Sequence, residues 1–178
     1  MKPLSLLPHP TTPCDFVRSL QVQPRAHAAG LQLSYVVAGD VQRIVVPESR
    51  RPARTDGLWR ATCFEVFLRP AAALAYQEFN FSPSGEWAAY SFDDYRCGMT
   101  PLDQPQPPHI ACTRTPERLQ VDVLLHSPWL AEASLSAAMT SVLQHADGRF
   151  SYWSLAHPPA KPDFHDAAGF VAQNLGAA

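Results

Sequence analysis

The sequence has no long apolar run, no cysteine pair at metal-binding spacing and almost no excess charge, and each of these lacks removes a class of function. No stretch approaches the roughly 20 apolar residues that a helix needs to cross a bilayer. The opening Met1-Lys2-Pro3-Leu4-Ser5-Leu6-Leu7-Pro8 has one early lysine and a few leucines, but prolines interrupt it before the apolar stretch of a signal peptide can form. Residence in the cytoplasm is therefore the expectation. Cys14, Cys63, Cys97 and Cys112 are scattered, with no Cys-x-x-Cys, and are expected to be reduced, mostly buried thiols. A net charge of -2 sets up no broad field toward phosphate or anionic lipid, so neither nucleic acid nor a membrane is an expected partner. No internal repeat is present. Gly-x-Ser-x-Gly is absent too, which leaves Ser151 or Ser154 beside the histidines of 157–165 without a nucleophile elbow.

What the chain does have is length for one core, many prolines and a period of two. At 178 residues it fits a single domain over 1–178, with its core expected from about 15 to 172. The 18 prolines cluster near the start, in 101–108 and in 158–162, where they punctuate rather than form low-complexity sequence. Alternation dominates between them. In 61–68, Thr62, Phe64, Val66 and Leu68 share one face and Cys63, Glu65 and Phe67 the other. Residues 76–81 and 87–92 read as a hairpin closed by Ser82-Pro83-Ser84-Gly85, with Gln77, Phe79 and Phe81 opposite Glu78 and Asn80. A second hairpin over 109–125 turns at Thr115-Pro116-Glu117-Arg118, and a third joins 138–144 to 150–156 across Ala146-Asp147-Gly148. Further strands are expected at 16–22, 31–37 and 42–46, and at most a turn or two of helix at 70–77 and 130–139. Roughly eight to ten short strands at this spacing predict an all-β fold, an antiparallel β-sandwich.

Polar and aromatic residues concentrate in 56–65 and 76–87. If these strands are neighbours, Glu65, Glu78 and Asn80 lie on one sheet face, walled by Phe67 or Tyr76, with Trp59 and Arg60 at the rim. Carboxylates and amides among rings suit a polyhydroxylated small molecule, because rings cover its C–H faces and polar groups take its hydroxyls. The competing reading is structural: outward polar residues are ordinarily just solvated, and Trp59, Trp87 and Trp153 suit a core. Glu65 and Glu78 also form a formal acid and nucleophile pair for glycoside cleavage, ranked below binding because that chemistry needs a defined separation. His157, Asp163 and His165 are formal metal ligands, but the intervening prolines hold them apart. His157 is expected instead to bond a backbone carbonyl. Neither a metal nor a cofactor is expected.

The strings Leu58-Trp59-Arg60-Ala61-Thr62-Cys63-Phe64-Glu65, Glu78-Phe79-Asn80-Phe81-Ser82-Pro83-Ser84-Gly85-Glu86-Trp87 and Tyr152-Trp153-Ser154-Leu155-Ala156-His157 resemble the bacterial DOMON-like proteins, relatives of the family 9 carbohydrate-binding modules. The resemblance runs from about Gln32 to Phe170. It implies a β-sandwich with a pocket, in a superfamily that binds sugars or haem, and matches at Trp59, Arg60, Cys63, Glu65, Glu78, Asn80, Ser82 and Trp87. Thr62 departs from the Asp that sugar-binding relatives commonly carry before the cysteine. A haem would need Met99 with His145 or His157, which fall in no matching motif. The expectation is a non-catalytic domain that binds a sugar or polyol through Trp59, Arg60, Glu65, Glu78, Asn80, Ser82 and Trp87. Its alternative is a structural or protein-interaction domain.

Overall fold

The computed structural model describes residues 2–71, 73–104, 106–131, 134–173 and 175. Among them run twelve strands: β1 (Leu4–Pro8), β2 (Val17–His27), β3 (Gly30–Gly39), β4 (Cys63–Pro70), β5 (Tyr76–Phe81), β6 (Trp87–Phe92), β7 (Thr100–Pro101), β8 (His109–Arg114), β9 (Arg118–Leu125), β10 (Leu135–Gln144), β11 (Phe150–Ser154) and β12 (Ala172–Gln173). Neighbouring strands pair antiparallel and form two layers. The first runs β1-β2-β3-β9-β8 and the second β7-β6-β5-β4-β10-β11-β1, with β12 extending the β10 edge beyond β11. β1 belongs to both: Leu4 to Leu6 pair with β2, and Leu7 and Pro8 with β11. This is the antiparallel sandwich that the alternation predicts.

Leu20, Val22, Leu33, Tyr35, Val37, Val121 and Val123 from the first layer meet Phe64, Val66, Leu68, Phe79, Phe81 and Met139 from the second in one core cluster. Each such side chain contributes roughly 1.5–3 kcal/mol by leaving water. The layers are also tied at one polar point, where the buried Tyr35 hydroxyl donates to the Glu65 carbonyl at 2.7 Å. The second layer is covered on its outer side as well, where Phe67, Tyr76, Ala88, Tyr90, Phe92, Ala138 and Phe170 form a second cluster with Leu58 and Phe164. Every residue of β5 is therefore buried, odd positions inward and even ones outward.

Tight turns depend on glycine at two places. Gly30 closes the β2–β3 hairpin at φ +143°, where a Cβ would stand 2.1 Å from the Leu125 carbonyl oxygen. Gly85, at φ +94°, closes Ser82–Gly85, and its N–H donates to the Ser82 carbonyl at 3.0 Å.

Four expectations need correction. Residues 42–46 form no strand: Ile44 makes a single bridge to His145, and the N–H groups of Val41, Ile44 and Val45 go to Pro116, Val41 and Gln144, so no ladder develops. The helical turns expected at 70–77 give way to the end of β4 and the start of β5; Ala72 lies outside the described residues. Of 130–139, only a 3-10 turn at Pro128–Ala131 is helical, while Glu132 and Ala133 lie outside the described residues. From Leu135 the chain is β10, held between β4 and β11, and this double ladder overrides a helix-favouring composition. The proline-broken start, expected outside the core, is β1.

Candidate functional site

The outer face of the second layer carries the site. Register sets Thr140, Glu65, Asn80 and Ala88 in one row across β10, β4, β5 and β6, and Ala138, Phe67, Glu78 and Tyr90 in the next. Glu65, Glu78 and Asn80 thus share one face. Above them lies a cavity of about 350 Å³. Glu65 and Glu78 reach it from the sheet, and Val142 and Tyr152 come from β10 and β11. Phe92, Arg96 and Met99 enter from the end of β6 and its following loop, Trp59 from a 3-10 turn at Leu58–Arg60, and Pro162, Phe164 and His165 from the segment after β11.

The two carboxyls differ in their partners. Glu65, only 2% exposed, accepts a hydrogen bond from Thr140 Oγ1 on Oε2 at 3.1 Å, while its buried Oε1 has no partner. Burial, followed by the charge of Glu78, pushes its pKa well above the usual carboxylate range, and Thr140 offsets only part of this. Glu78 accepts from Asn80 Nδ2 on Oε1 at 2.6 Å. Burial raises it to about 7, against the lowering effects of the Asn80 bond and the Arg96 charge. Burial thus favours the protonated form of Glu65, a buried acid whose Oε1 has no partner among the described residues.

The opposite wall is a chain of hydrogen bonds. The Tyr76 hydroxyl accepts the Arg96 N–H at 3.1 Å and lies 2.7 Å from His165 Nδ1. One hydrogen bond joins the hydroxyl and Nδ1, its donor set by the imidazole tautomer, and His165 Nε2 lies 3.8 Å from Glu78 Oε2. Burial and the Arg96 charge push the His165 pKa down to about 4, so this contact joins a neutral ring to a carboxyl rather than two ions. Arg96 is held at 2.8 Å by Asp163, which also accepts from Tyr95 and from the His165 N–H. Burial alone would raise the Asp163 pKa, but the Arg96 and Tyr95 hydrogen bonds outweigh it and keep the carboxylate charged. Arg96 adopts a left-handed backbone, φ +50°, beside Gly98, whose added Cβ would meet the Asp93 side chain.

Of the residues proposed from sequence, Trp59, Glu65 and Glu78 line the cavity. Asn80 lies fully buried beside Glu78, which it orients. Trp59 is 38% exposed and packs edge-on against Tyr90, whose hydroxyl donates to Asp56 at 2.6 Å. Arg60 is exposed at the end of its turn and does not line the cavity. Ser82 is buried in the β5–β6 turn, where its Oγ accepts the Ser84 N–H at 3.2 Å. Trp87 faces Phe81 across the hairpin and joins the inter-layer core, with the Arg54 guanidinium over its ring. Neither lines the cavity: Ser82 is held in the turn, and Trp87 takes an odd position of β6, which points inward.

Arg96 and Phe164 escaped the sequence reading, since the irregular loops that present them carry no periodic signal, and Tyr152, on β11, was not singled out for the site. His165, considered as a metal ligand, hydrogen-bonds Tyr76 instead. His157 Nε2 donates to the Leu7 carbonyl at 2.8 Å, the backbone bond expected of it, and so pins the strand exit to β1. His145 is buried against Ser151 and Phe16. Neither histidine lines the cavity that holds Met99, so the trial haem ligands are not brought together.

No family model matches the chain, and no curated protein matches it. In fold it is similar to the 2.70 Å crystal structure of a candidate carbohydrate-binding protein from Bacteroides uniformis ATCC 8492, with a TM-score of 0.65 and 17% identity. The likeness covers 95% of this chain and 83% of that one. At such identity it is a likeness of fold.

Proposed function

We propose that this chain is a non-catalytic binding domain that holds a small polyhydroxylated ligand, a sugar or polyol, in the cavity over β4 and β5. One observation carries the reading: Glu65, a fully enclosed carboxyl that lines the cavity together with Glu78, has an oxygen with no partner among the described residues. An unmet buried polar atom costs about 1–3 kcal/mol, and a ligand hydroxyl would relieve it. The rings of Trp59, Phe92, Tyr152 and Phe164 supply apolar faces for sugar C–H groups, and the volume lies within the range of small-molecule sites. The resemblance of the motif strings to DOMON-like and family 9 carbohydrate-binding proteins agrees with this, as does the fold shared with the Bacteroides protein.

A panel of monosaccharides, disaccharides and polyols examined by titration calorimetry tests the reading. At least one should bind, and Glu78→Ala should weaken it about tenfold or more while the circular dichroism spectrum stays that of the parent. Silence across the panel would end the proposal in favour of a structural role. Turnover of a chromogenic glycoside that disappears in Glu65→Gln would overturn its non-catalytic part.

A further inference from the structure

We infer that the cavity's ligand carries a protonated amine, as an amino sugar or amino polyol does, seated between the carboxyls of Glu65 and Glu78. This rests on the reading above that the cavity binds a polyhydroxylated molecule, and concerns which chemical class it prefers.

Among the described residues two oxygens of the carboxyls that line the cavity lack a hydrogen bond: Glu65 Oε1, which has no partner, and Glu78 Oε2, from which His165 Nε2 stands 3.8 Å away, beyond bonding distance. The charges follow the same pattern. Glu65 and Glu78 share the cavity wall with a single guanidinium, that of Arg96, and Asp163 already takes it at 2.8 Å. An acidic sugar would bring a further negative group toward two carboxyls and find the one cation occupied. A neutral sugar could bond the free oxygens, yet would leave the two carboxyls sharing a proton between them, as crowded acids must. An ammonium group has three donors and no acceptor, so it suits two free carboxyl oxygens and lets both groups ionise.

The walls fit the same group. Trp59, Phe92, Tyr152 and Phe164 offer ring faces that attract a cation within about 6 Å, most strongly where water is excluded. No lysine or second arginine lines the cavity among the described residues. The groups packed around Glu78 are Tyr76 and Asn80 on its own strand, Cys63, Glu65 and Phe67 on β4, Tyr90 on β6, Arg96 on the following loop and His165 on the exit segment. Of these, Glu78 titrates at about 7 and His165 at about 4.

Calorimetry of the full chain with matched pairs provides the test: glucose and glucosamine, galactose and galactosamine, mannose and mannosamine, with glucuronate as the acidic control. At pH 7.5 the amino member of at least one pair should bind about tenfold or more tightly than its neutral partner, and glucuronate should not bind. At pH 5, where Glu78 holds its proton, the preference should shrink. Glu78→Gln should shrink it in the same way. Equal affinity within every pair, or tighter binding of glucuronate, would overturn this inference and leave the sugar-binding reading standing. Silence of all the sugars would end both.

Discussion

Replacing Glu78 by Gln isolates the energetics of the buried acid pair. A carboxyl that titrates near 4.5 in an unfolded chain and about 7 in the folded one binds more protons folded than unfolded throughout that interval. The wild-type protein therefore loses stability as pH rises from 4.5 through 7. At about 1.4 kcal/mol per pH unit the loss due to Glu78 comes to about 3 kcal/mol. Gln keeps the acceptor that Asn80 Nδ2 reaches at 2.6 Å and cannot ionise. His165 titrates in the opposite sense across much of the same range, so the absolute curve of either protein is blunted and the difference between them carries the information. Urea melts of both proteins at pH 4.5, 6 and 8, followed by tryptophan fluorescence, should show the variant gaining about 3 kcal/mol relative to wild type over the series. Removing the neighbouring charge also makes Glu65 easier to ionise, which adds to the gain above pH 7. Parallel curves would refute the reasoning, because they would mean that Glu78 ionises at an ordinary pH. A variant losing ground as pH rises would point to a paired carboxylate.

His165→Gln should behave as the mirror image. The imidazole is neutral when folded down to about pH 4, whereas an unfolded one charges near 6.5, so wild-type stability attributable to it falls as pH drops through that window. Relative to wild type the variant should gain about 3 kcal/mol between pH 7 and pH 4 in urea melts at those two values, and a flat difference would contradict the assigned burial. Gly30→Ala places a methyl 2.1 Å from the Leu125 carbonyl oxygen at φ +143°, which should cost about 3 kcal/mol in urea unfolding and is refuted by a change below about 1 kcal/mol.

Much of the second layer could be read before any coordinates, because its strands alternate cleanly and its turns use residues whose conformational preferences are strong. Phe64, Val66 and Leu68 against Glu65 and Phe67 fixed the facing of β4, and the Ser82–Gly85 turn fixed the register that sets Asn80 opposite Ala88 on β6. The same logic applied one strand further puts Trp87, opposite Phe81, on the inner face. The remaining walls of the cavity were not legible. Arg96, Phe164 and His165 reach it through irregular segments about 20 to 90 residues from the strands they touch, and their positions come from specific bonds such as Arg96 to Asp163 rather than from any periodicity. The alanines of β10 looked helical because local propensity was the only signal available there, and pairing on both edges decided otherwise.

β1 gives the sandwich an unusual order of assembly. Residues 4–8 leave the ribosome well before residues 150–154, yet Leu7 and Pro8 find their partners only in Ser154 and Trp153. Until translation has passed that point, the two halves have no shared hydrogen-bonded strand, and a nascent chain must keep the start of its sequence waiting. Closure is thus a late event that depends on contacts distant in sequence, which makes for slow folding and a domain sensitive to trimming at its first strand.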